Sequence, residues 1–324
     1  MREWIELLGG GLLVYAGAEW FVAGASSLAL SLRIPKLTIG LTVVAYGTSA
    51  PEIVVGIQAA AAGHGEVALG NVLGSNIANI GLILGVAALI RPARVDGELR
   101  SRELPVLLAS AALVPILMAN GVVSQWEGAG LALIAVAYTV IMVRSARSKS
   151  VLAQSRAGAR SAEEAADIAG APTPTGKLRS VATAIGGLAV LLVGGHLFLA
   201  GAVEVAHTLG MSDRLVGLTI VAVGTSLPEL VTSVIAARRG HADLAVGNVV
   251  GSNIFNILLC LGTAAMTGRV AAPLASVAVD LIAMLVMTIF AVVLLREERT
   301  ISRAEGLVAV ALFVGYNVLI ISTG

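Results

Sequence analysis

The chain has 324 residues, of which 57% are hydrophobic, 13% are charged and only 4% are aromatic. This composition excludes a soluble globular domain and predicts an all-α polytopic membrane protein embedded in a lipid bilayer. The net charge of +1 indicates no nucleic-acid partner, and the single cysteine, Cys260, excludes an intramolecular disulfide and a cysteine-based metal site.

Ten apolar stretches are long enough to cross a bilayer, which takes roughly 20 residues of helix. They lie near 5–30, 36–62, 66–90, 103–119 and 124–143, and near 180–208, 213–237, 243–267, 273–295 and 303–322. The polar segment between the two sets is predicted to be a flexible linker. The predicted domains are a first transmembrane repeat (1–144), a cytoplasmic linker (145–179) and a second, inverted transmembrane repeat (180–324).

Lysine and arginine are distributed unequally between the two predicted sides of the membrane. The connections after spans 1, 3, 5, 7 and 9 hold 18 of these residues, and the opposite side holds 3. This asymmetry predicts a multi-pass protein of the plasma (inner) membrane with a cytoplasmic linker and both termini extracytoplasmic. Because five spans is an odd number, the two five-helix repeats must be inverted, as in many secondary transporters with a site at the bilayer midplane.

One polar motif occurs twice in the chain. The motif G-T-S-x-P-E stands at 47–52 and again at 224–229, and the similarity extends well beyond it. Residues 40–85 align with 217–262 without a gap, and 28 of the 46 pairs are identical. The conserved spacing between the halves predicts that both copies contribute to one structure.

A second motif, G-S-N-I-x-N-I, stands at 74–80 and 251–257 in the same alignment. The first motif places a carboxylate, Glu52 in one half and Glu229 in the other, inside a long apolar run. A charge there costs about 3 kcal/mol unless something pairs with it. The repetition of buried polar residues therefore predicts one site built from two halves.

Each copy of the first motif contains a proline, which is expected to break its helix. Pro51 and Pro228 have no N–H group and clash with the carbonyl four residues earlier, so that carbonyl must find another partner. Carboxylate, hydroxyl and carbonyl oxygens then converge in each half. An all-oxygen site with two carboxylates and no His or Cys suits a hard cation, Ca²⁺ or Na⁺, rather than zinc or copper.

Spacing on the helices supports this convergence. Residues four apart share a helix face, and the polar pairs with this spacing are Thr48/Glu52, Ser75/Asn79 and Ser252/Asn256. The GxxxG pairs Gly70/Gly74 and Gly247/Gly251 predict close packing of spans 3 and 8 against the broken helices. Three further acids in apolar runs, Glu19, Glu204 and Asp280, are interpreted as having no equivalent acid in the other half, and their roles stay open.

At these motifs the chain resembles the cation/Ca²⁺ antiporter superfamily, most closely its prokaryotic Na⁺/Ca²⁺ exchanger branch. The resemblance implies that Glu52 and Glu229 are the main Ca²⁺ ligands. It implies further ligands from backbone carbonyls (near Thr48 and Thr225 for Ca²⁺, Ala45 and Ala222 for Na⁺) and from hydroxyls (Ser49, Ser226, Ser75 and Ser252), with Asn79 and Asn256 facing the central cavity.

The sequence departs from some relatives in two respects. Potassium-dependent exchangers carry aspartate at the position of Asn256, so the resemblance argues against K⁺ co-transport. The segment 145–179 is too short for the Ca²⁺-sensing insert of animal exchangers, so regulation of that kind is not expected. The H⁺/Ca²⁺ branch has Asn in place of the Thr-Ser pair, and this chain does not follow it.

The expected function is secondary active antiport of Na⁺ for Ca²⁺ by alternating access at a midplane site. The alternatives are an antiporter that couples Ca²⁺ or another cation to H⁺, and a passive cation channel; an intramembrane hydrolase is a remote third. We expect no enzyme activity and no obligate protein partner. We also expect no cofactor, because Ca²⁺ and Na⁺ are the transported substrates.

Overall fold

A computed structural model describes residues 2–32, 34–94, 99–157, 176–211, 224–296 and 300–323. Within these ranges the chain is almost entirely helical. The helices are α1 (Arg2–Leu32), α2 (Lys36–Thr48), α3 (Ala50–Ala61), α4 (Gly65–Ile90), α5 (Leu99–Asn120), α6 (Gln125–Ala157), α7 (Lys177–Thr208), α8 (Leu227–Arg238), α9 (Ala242–Thr267), α10 (Leu274–Arg296) and α11 (Arg303–Thr323).

Eight of the described helices are long and apolar enough to cross a membrane, and α2 with α3 would make a ninth as one bent span. The predicted all-α polytopic fold is therefore confirmed. The span predicted near 213–237 is represented by α8, while residues 212–223 lie outside the described residues. The count of ten spans accordingly stays a prediction.

The helix breaks predicted at the prolines are present in both halves. Helices α2 and α3 meet at 43° across Ser49, and Pro51 lies in the first turn of α3. Ser226 has nearly the same backbone conformation as Ser49 and precedes Pro228 in the first turn of α8. Proline is well placed there, because the first N–H groups of a helix have no intrahelical acceptor. Each glutamate thus lies beside the start of a new helix.

Helices α1 and α7 pack along a row of glycines spaced seven residues apart. A Cβ at Gly17 would lie 2.3 Å from the backbone nitrogen of Leu191, and one at Gly10 would lie 2.3 Å from that of Phe198. As the residue number increases along α1, the number of the contacting residue in α7 decreases, so the two helices are antiparallel. Only glycine permits this backbone approach, and the row consists of Gly10, Gly17, Gly24, Gly187, Gly194 and Gly201.

Helix α9 lies at the centre of the molecule, with 94% of its most apolar stretch buried, against 17% for α11. Its GxxxG pair packs on α2 as predicted: Cβ atoms at Gly247 and Gly251 would lie 2.6 Å from the Leu37 carbonyl and 2.7 Å from the Leu41 carbonyl. A Cβ at Gly70 or Gly74 would meet no described atom within 4 Å, so the close packing predicted for this pair is not seen among the described residues. The confirmed pair brings the polar face of α9 against the helix that carries the first motif.

Two short antiparallel ribbons join the halves at the ends of the bundle. Strand β1 (Ala93–Arg94), which follows α4, pairs with β4 (Thr300–Ile301), which lies between α10 and α11. Strand β3 (Val270–Ala271), which follows α9, pairs with β2 (Val122–Val123), which lies between α5 and α6. Exchanging the two halves converts one ribbon into the other.

A polar cluster connects α1 and the start of α2 to the connection between α8 and α9. Glu19 forms an ion pair with Arg239. The Lys36 ammonium group donates to Nδ1 of His241 at 2.9 Å, and Ser26 Oγ lies 3.2 Å from Nε2 of the same ring. Burial, followed by the charge of Lys36, lowers the pKa of His241, so that the ring is neutral at pH 7.

The boundary of the predicted linker differs from the structure. Helix α6 continues to Ala157, so residues 145–157 of the predicted linker are helical, and α7 begins at Lys177. Polar composition indicated a linker, but a helix can continue beyond the bilayer when its residues are good helix formers. Residues 158–175 lie outside the described residues.

The glycine row predicts a position-specific effect on stability. We expect Gly187→Ala to lower the free energy of unfolding by about 1–3 kcal/mol, the usual cost of overpacking, because its Cβ would lie 2.3 Å from the Phe21 backbone nitrogen. Gly186→Ala is the matched control, since a Cβ there meets open space. Thermal unfolding of the purified protein in detergent measures both, and equal melting temperatures would contradict the packing analysis.

Candidate functional site

The two repeated glutamates lie in the interior of the bundle at equivalent places. Glu52 is in the first turn of α3 and Glu229 is in the first turn of α8, and each is only 1% exposed. The N-terminal end of a helix favours negative charge, since its free N–H groups and its dipole point toward it. The helix breaks therefore position both carboxylates where the backbone partly offsets the cost of burying them.

Each carboxylate accepts a hydrogen bond from the serine of the other half. Ser49 Oγ donates to Glu229 Oε1 at 3.1 Å, and Ser226 Oγ donates to Glu52 Oε1 at 3.2 Å. Ser49 and Glu52 stand in the same motif, as do Ser226 and Glu229. The two motifs therefore face each other across one junction, and neither half completes the hydrogen bonding of its own glutamate.

A pair of asparagines holds the backbone at the glutamates. Asn71 Nδ2 donates to the Glu52 carbonyl at 3.1 Å, and Asn248 Nδ2 donates to the Glu229 carbonyl at 3.4 Å. The sequence analysis did not assign these residues to the site, although both are identical in the repeat alignment. That identity at an apolar helix position was the signal that could have identified them.

The two halves support their glutamates with different additional contacts. The Cys260 thiol donates to the Glu52 carbonyl at 3.0 Å, whereas Asn248 also donates to Ser233 Oγ at 3.0 Å. Thr48 Oγ1 lies 3.2 Å from Asn248 Oδ1 and joins α2 to α9. The Cys260 side chain thus supports the backbone of the site directly.

The predicted carbonyl ligands lie beside the breaks. The Ala45 carbonyl accepts the Ser49 N–H at 3.0 Å, which leaves its second lone pair available. Thr48 Oγ1 donates to the Val44 carbonyl at 3.1 Å, so the side chain is engaged while its own carbonyl stands at the end of α2. Thr225 lies in the equivalent turn before α8. Ala222 lies outside the described residues.

Helices α4 and α9 bring the second motif to the same region. Ser75, Asn79, Ser252 and Asn256 are each at most 2% exposed. A π-helical turn begins at Asn79 and another at Asn256. Such turns are frequent at functional sites, because the wider backbone turn disturbs the regular hydrogen-bond ladder.

Several buried polar atoms of the site have no hydrogen-bond partner among the described residues. They are Oε2 of Glu52 and Glu229, Oγ of Thr232 and Ser252, Oδ1 of Asn253, and both amide atoms of Asn79 and Asn256. Buried polar groups are normally paired, because leaving one unpaired costs about 1–3 kcal/mol. Two carboxylate oxygens and nearby hydroxyl and amide oxygens without partners are the donor set of a hard-cation site.

The structure corrects the sequence analysis for Asp280, which does have an equivalent acid. Tyr316 OH donates to Asp280 Oδ1 at 2.8 Å, and in the first half Tyr138 OH donates to Glu103. Glu103 precedes Asp280 by 177 residues, the offset of the repeats. The pair lies beyond residues 85 and 262, where the gap-free similarity between the halves ends.

The other two unassigned acids do not contact the glutamates of the site in any described hydrogen bond. Glu19 forms the ion pair with Arg239 noted above. Glu204 lines a surface cavity of about 680 Å³ together with Arg2, Glu3 and Glu6. Both acids lie on the pair α1 and α7 rather than on the helices that carry the motifs.

Comparison with known proteins identifies the family of this chain. The sequence profile of the family described as sodium/calcium exchanger protein matches residues 3–144 and 179–322. The chain belongs to this family. Both matched segments contain one copy of the two motifs, and they omit most of the segment between the halves.

Similar proteins match nearly the whole chain. The inner membrane protein YrbG of Escherichia coli is 36% identical over 95% of this chain and 93% of its own length. The sodium/calcium exchanger MaX1 of Methanosarcina acetivorans is 31% identical over 98% of both chains. A solved structure of the sodium-calcium exchanger NCX_Mj superimposes with a TM-score of 0.83 at 30% identity, covering 100% of this chain and 99% of that one.

Family membership fixes the general class of the protein. It is a multi-pass membrane protein of a family of antiporters, which are transporters and not enzymes. Membership of this family supports cation/Ca²⁺ exchange as its activity. The branch of the cation/Ca²⁺ antiporter superfamily inferred from the motifs is confirmed. Exchangers of this family transport Na⁺ and Ca²⁺ as substrates.

The asparagine contacts predict unequal effects of two matched substitutions. We expect Asn248→Ala to reduce the free energy of unfolding by about 2 kcal/mol more than Asn71→Ala, because it leaves several buried groups unpaired. Asn248 is fully buried and bonds Thr48, Ser233 and Glu229, whereas Asn71 is half-buried and bonds Glu52. Thermal unfolding of the two variants measures this difference. A larger loss of stability for Asn71→Ala than for Asn248→Ala would contradict the prediction.

Proposed function

We propose that the protein exchanges Na⁺ for Ca²⁺ across the membrane by alternating access to the site between the two motifs. The observation that carries this proposal is the reciprocal bonding of Glu52 and Glu229 to the serines of opposite halves, with one oxygen of each carboxylate left without a partner in the described part of the chain. Two negative charges in a buried site are stable only with compensating positive charge. One Ca²⁺ or two Na⁺ supply it, so the ions can replace one another at the same carboxylates.

The proposed ligand set follows the residues expected from sequence. Oε2 of Glu52, Oε2 of Glu229 and Oγ of Ser252 are buried and have no hydrogen-bond partner among the described residues, which supports their assignment. A bound Ca²⁺ takes six to eight oxygen ligands. The full proposed set is Glu52, Glu229, Thr48, Thr225, Ser49, Ser226, Ser75, Ser252, Asn79, Asn256, Ala45 and Ala222.

We further propose ten transmembrane helices in two inverted five-helix repeats, with domain limits at 1–144, 145–179 and 180–324. The antiparallel packing of α1 with α7, the first helices of the two halves, supports the inversion. The ribbons β1–β4 and β2–β3, which interchange when the halves are exchanged, support it as well. In such architectures the site lies where the repeats meet, near the bilayer midplane.

The carboxylate assignment predicts a loss of transport without a loss of folding. We expect Glu52→Gln or Glu229→Gln to reduce Na⁺-driven ⁴⁵Ca²⁺ uptake into proteoliposomes by at least about tenfold, equivalent to about 1.4 kcal/mol. One remaining carboxylate cannot neutralise a divalent cation. The control is Glu66→Gln, which removes an exposed acid at the start of α4. Uptake at the wild-type rate by either site variant would refute the assignment.

A third Na⁺, held by the paired hydroxyl and carbonyl oxygens in addition to the two that the glutamates neutralise, predicts electrogenic exchange. The resemblance favours three Na⁺ per Ca²⁺, so each cycle moves one net charge and 100 mV contributes about 2.3 kcal/mol. In Na⁺-loaded proteoliposomes, an inside-positive potential set with valinomycin should accelerate Ca²⁺ uptake, because uptake then exports one positive charge.

Three outcomes of this experiment would contradict the proposed coupling. Voltage-independent uptake would indicate two Na⁺ or two H⁺ per Ca²⁺. Uptake driven by a pH gradient without Na⁺ would indicate the proton-coupled antiporter. Uptake that continues without any counter-ion would indicate a passive channel.

The basic-residue count predicts the orientation of the protein. We propose that it lies in the plasma (inner) membrane with both termini outside the cytoplasm. In a Cys260→Ala background, a cysteine at Ser150 should react only with reagent on the cytoplasmic side. A cysteine at Ser322, near the end of α11, should react only from outside. Reaction of both from the same side would mean an even number of spans between Ser150 and Ser322, and would contradict the five spans proposed for the second half.

A further inference from the structure

A group of aromatic side chains joins the two motif-bearing helices α2 and α9 from the side of α6. The ring of Tyr46, the residue before Gly47 of the first motif, lies against the ring of Phe255, with centroids 3.9 Å apart. The ring of Tyr138 lies 5.9 Å from the same Phe255 ring. Phe255 directly precedes Asn256. One contact therefore links residues adjacent to the ion site in both halves of the chain.

Hydrogen bonds fix this group at both ends. Tyr46 OH and Thr139 Oγ1 lie 2.6 Å apart, and Tyr138 OH donates to Glu103, which also accepts from Arg102 Nε at 2.5 Å. Glu103 is fully buried. Two consecutive residues of α6 thus hold Tyr46 through a hydroxyl group and Phe255 through a ring, so α2 and α9 cannot shift relative to α6 without losing these contacts.

The second half lacks the same arrangement. Tyr316 and Asp280 reproduce the tyrosine–acid bond of Tyr138 and Glu103. At the repeat offset, however, Tyr46 corresponds to Val223, and Phe255 corresponds to Ala78. The tyrosine–acid bond is therefore common to both halves, whereas its aromatic connection to the ion site is specific to the first.

We propose that Tyr46, Phe255 and Tyr138 form an aromatic clamp that positions α2 against α9 and thereby sets the spacing of ion ligands between Thr48 and Asn256. These are positioning residues, since none of them supplies an oxygen to the proposed ion. The inference rests on the proposed function for the identity of the ion. A clamped site holds its ligands at a fixed distance and discriminates between ions of different radius, while a loosened site adjusts to a larger ion.

The clamp is tested with Phe255→Leu and Tyr138→Phe, with Tyr316→Phe as the matched control. The control removes the equivalent tyrosine–acid bond in the half that has no aromatic connection. The affinities for Ca²⁺ and for the larger Sr²⁺ are measured by titrating the thermal stabilisation of the purified protein with each ion. Maximal Na⁺-driven uptake of ⁴⁵Ca²⁺ is measured in parallel.

We expect Phe255→Leu to weaken Ca²⁺ binding by about two- to tenfold, the factor that corresponds to an aromatic pair. Sr²⁺ binding should weaken less, so that the preference for Ca²⁺ over Sr²⁺ falls, while the maximal rate of uptake stays within about twofold. Tyr138→Phe should shift the preference in the same direction by a smaller factor. Tyr316→Phe should leave it unchanged.

Two results would overturn the clamp: an unchanged Ca²⁺/Sr²⁺ preference in folded Phe255→Leu, or an equal change in Tyr316→Phe, which would indicate a general loss of stability. Failure of the proposed function gives a different pattern. Wild-type protein that binds Ca²⁺ but shows no Na⁺-driven uptake would refute the exchange, and the ion titrations would still decide the clamp. Wild-type protein that binds neither ion would refute both.

Discussion

Two carboxylates buried side by side in a membrane protein are the constraint on which the rest of the structure depends. An α-helix that crosses a bilayer satisfies its own backbone but offers nothing to a charge. Interrupting α2/α3 at Ser49, and beginning α8 after Ser226, places free helix ends next to Glu52 and Glu229. The serines at the breaks then bond across the halves. Glycine at α9 is needed for the same reason, because α9 must approach α2 closely enough to join Thr48 to Asn248.

Symmetry between the halves is strong at the carboxylates and weaker in their surroundings. The serine and asparagine contacts to each glutamate occur twice. The thiol of Cys260 and the aromatic contact between Tyr46 and Phe255 occur once. A duplicated chain can thus retain two equal ligand groups while each half acquires its own means of holding them. The division matches the chemistry: charge balance requires both carboxylates, whereas a single rigid support suffices to fix their spacing.

The sequence predicted the helical membrane fold, the two breaks and the burial of Glu52 and Glu229, because each follows from a local rule: apolar length, proline chemistry and the cost of a buried charge. Contacts between distant residues followed no such rule. Nothing in the local sequence shows that Tyr46 meets Phe255, and the acid pair Glu103 and Asp280 lies in segments of low identity between the halves. The extension of α6 to Ala157 was missed because polarity reports exposure to water and not the end of a helix.

Three residues of the polar cluster around His241 differ in type from their equivalents in the other half. At the repeat offset, Glu19 corresponds to His196, Ser26 to Val203 and Arg239 to Ala62, so the same bonds cannot form on the other side. Two access states related by interchange of perfectly equal halves would have the same free energy. The ion pair of Glu19 with Arg239 and the contact of Ser26 with His241 therefore have no equivalent at these positions of the other half. With the alternating access proposed above, the two access states differ in free energy before any ion binds, and the bound ions must supply the difference.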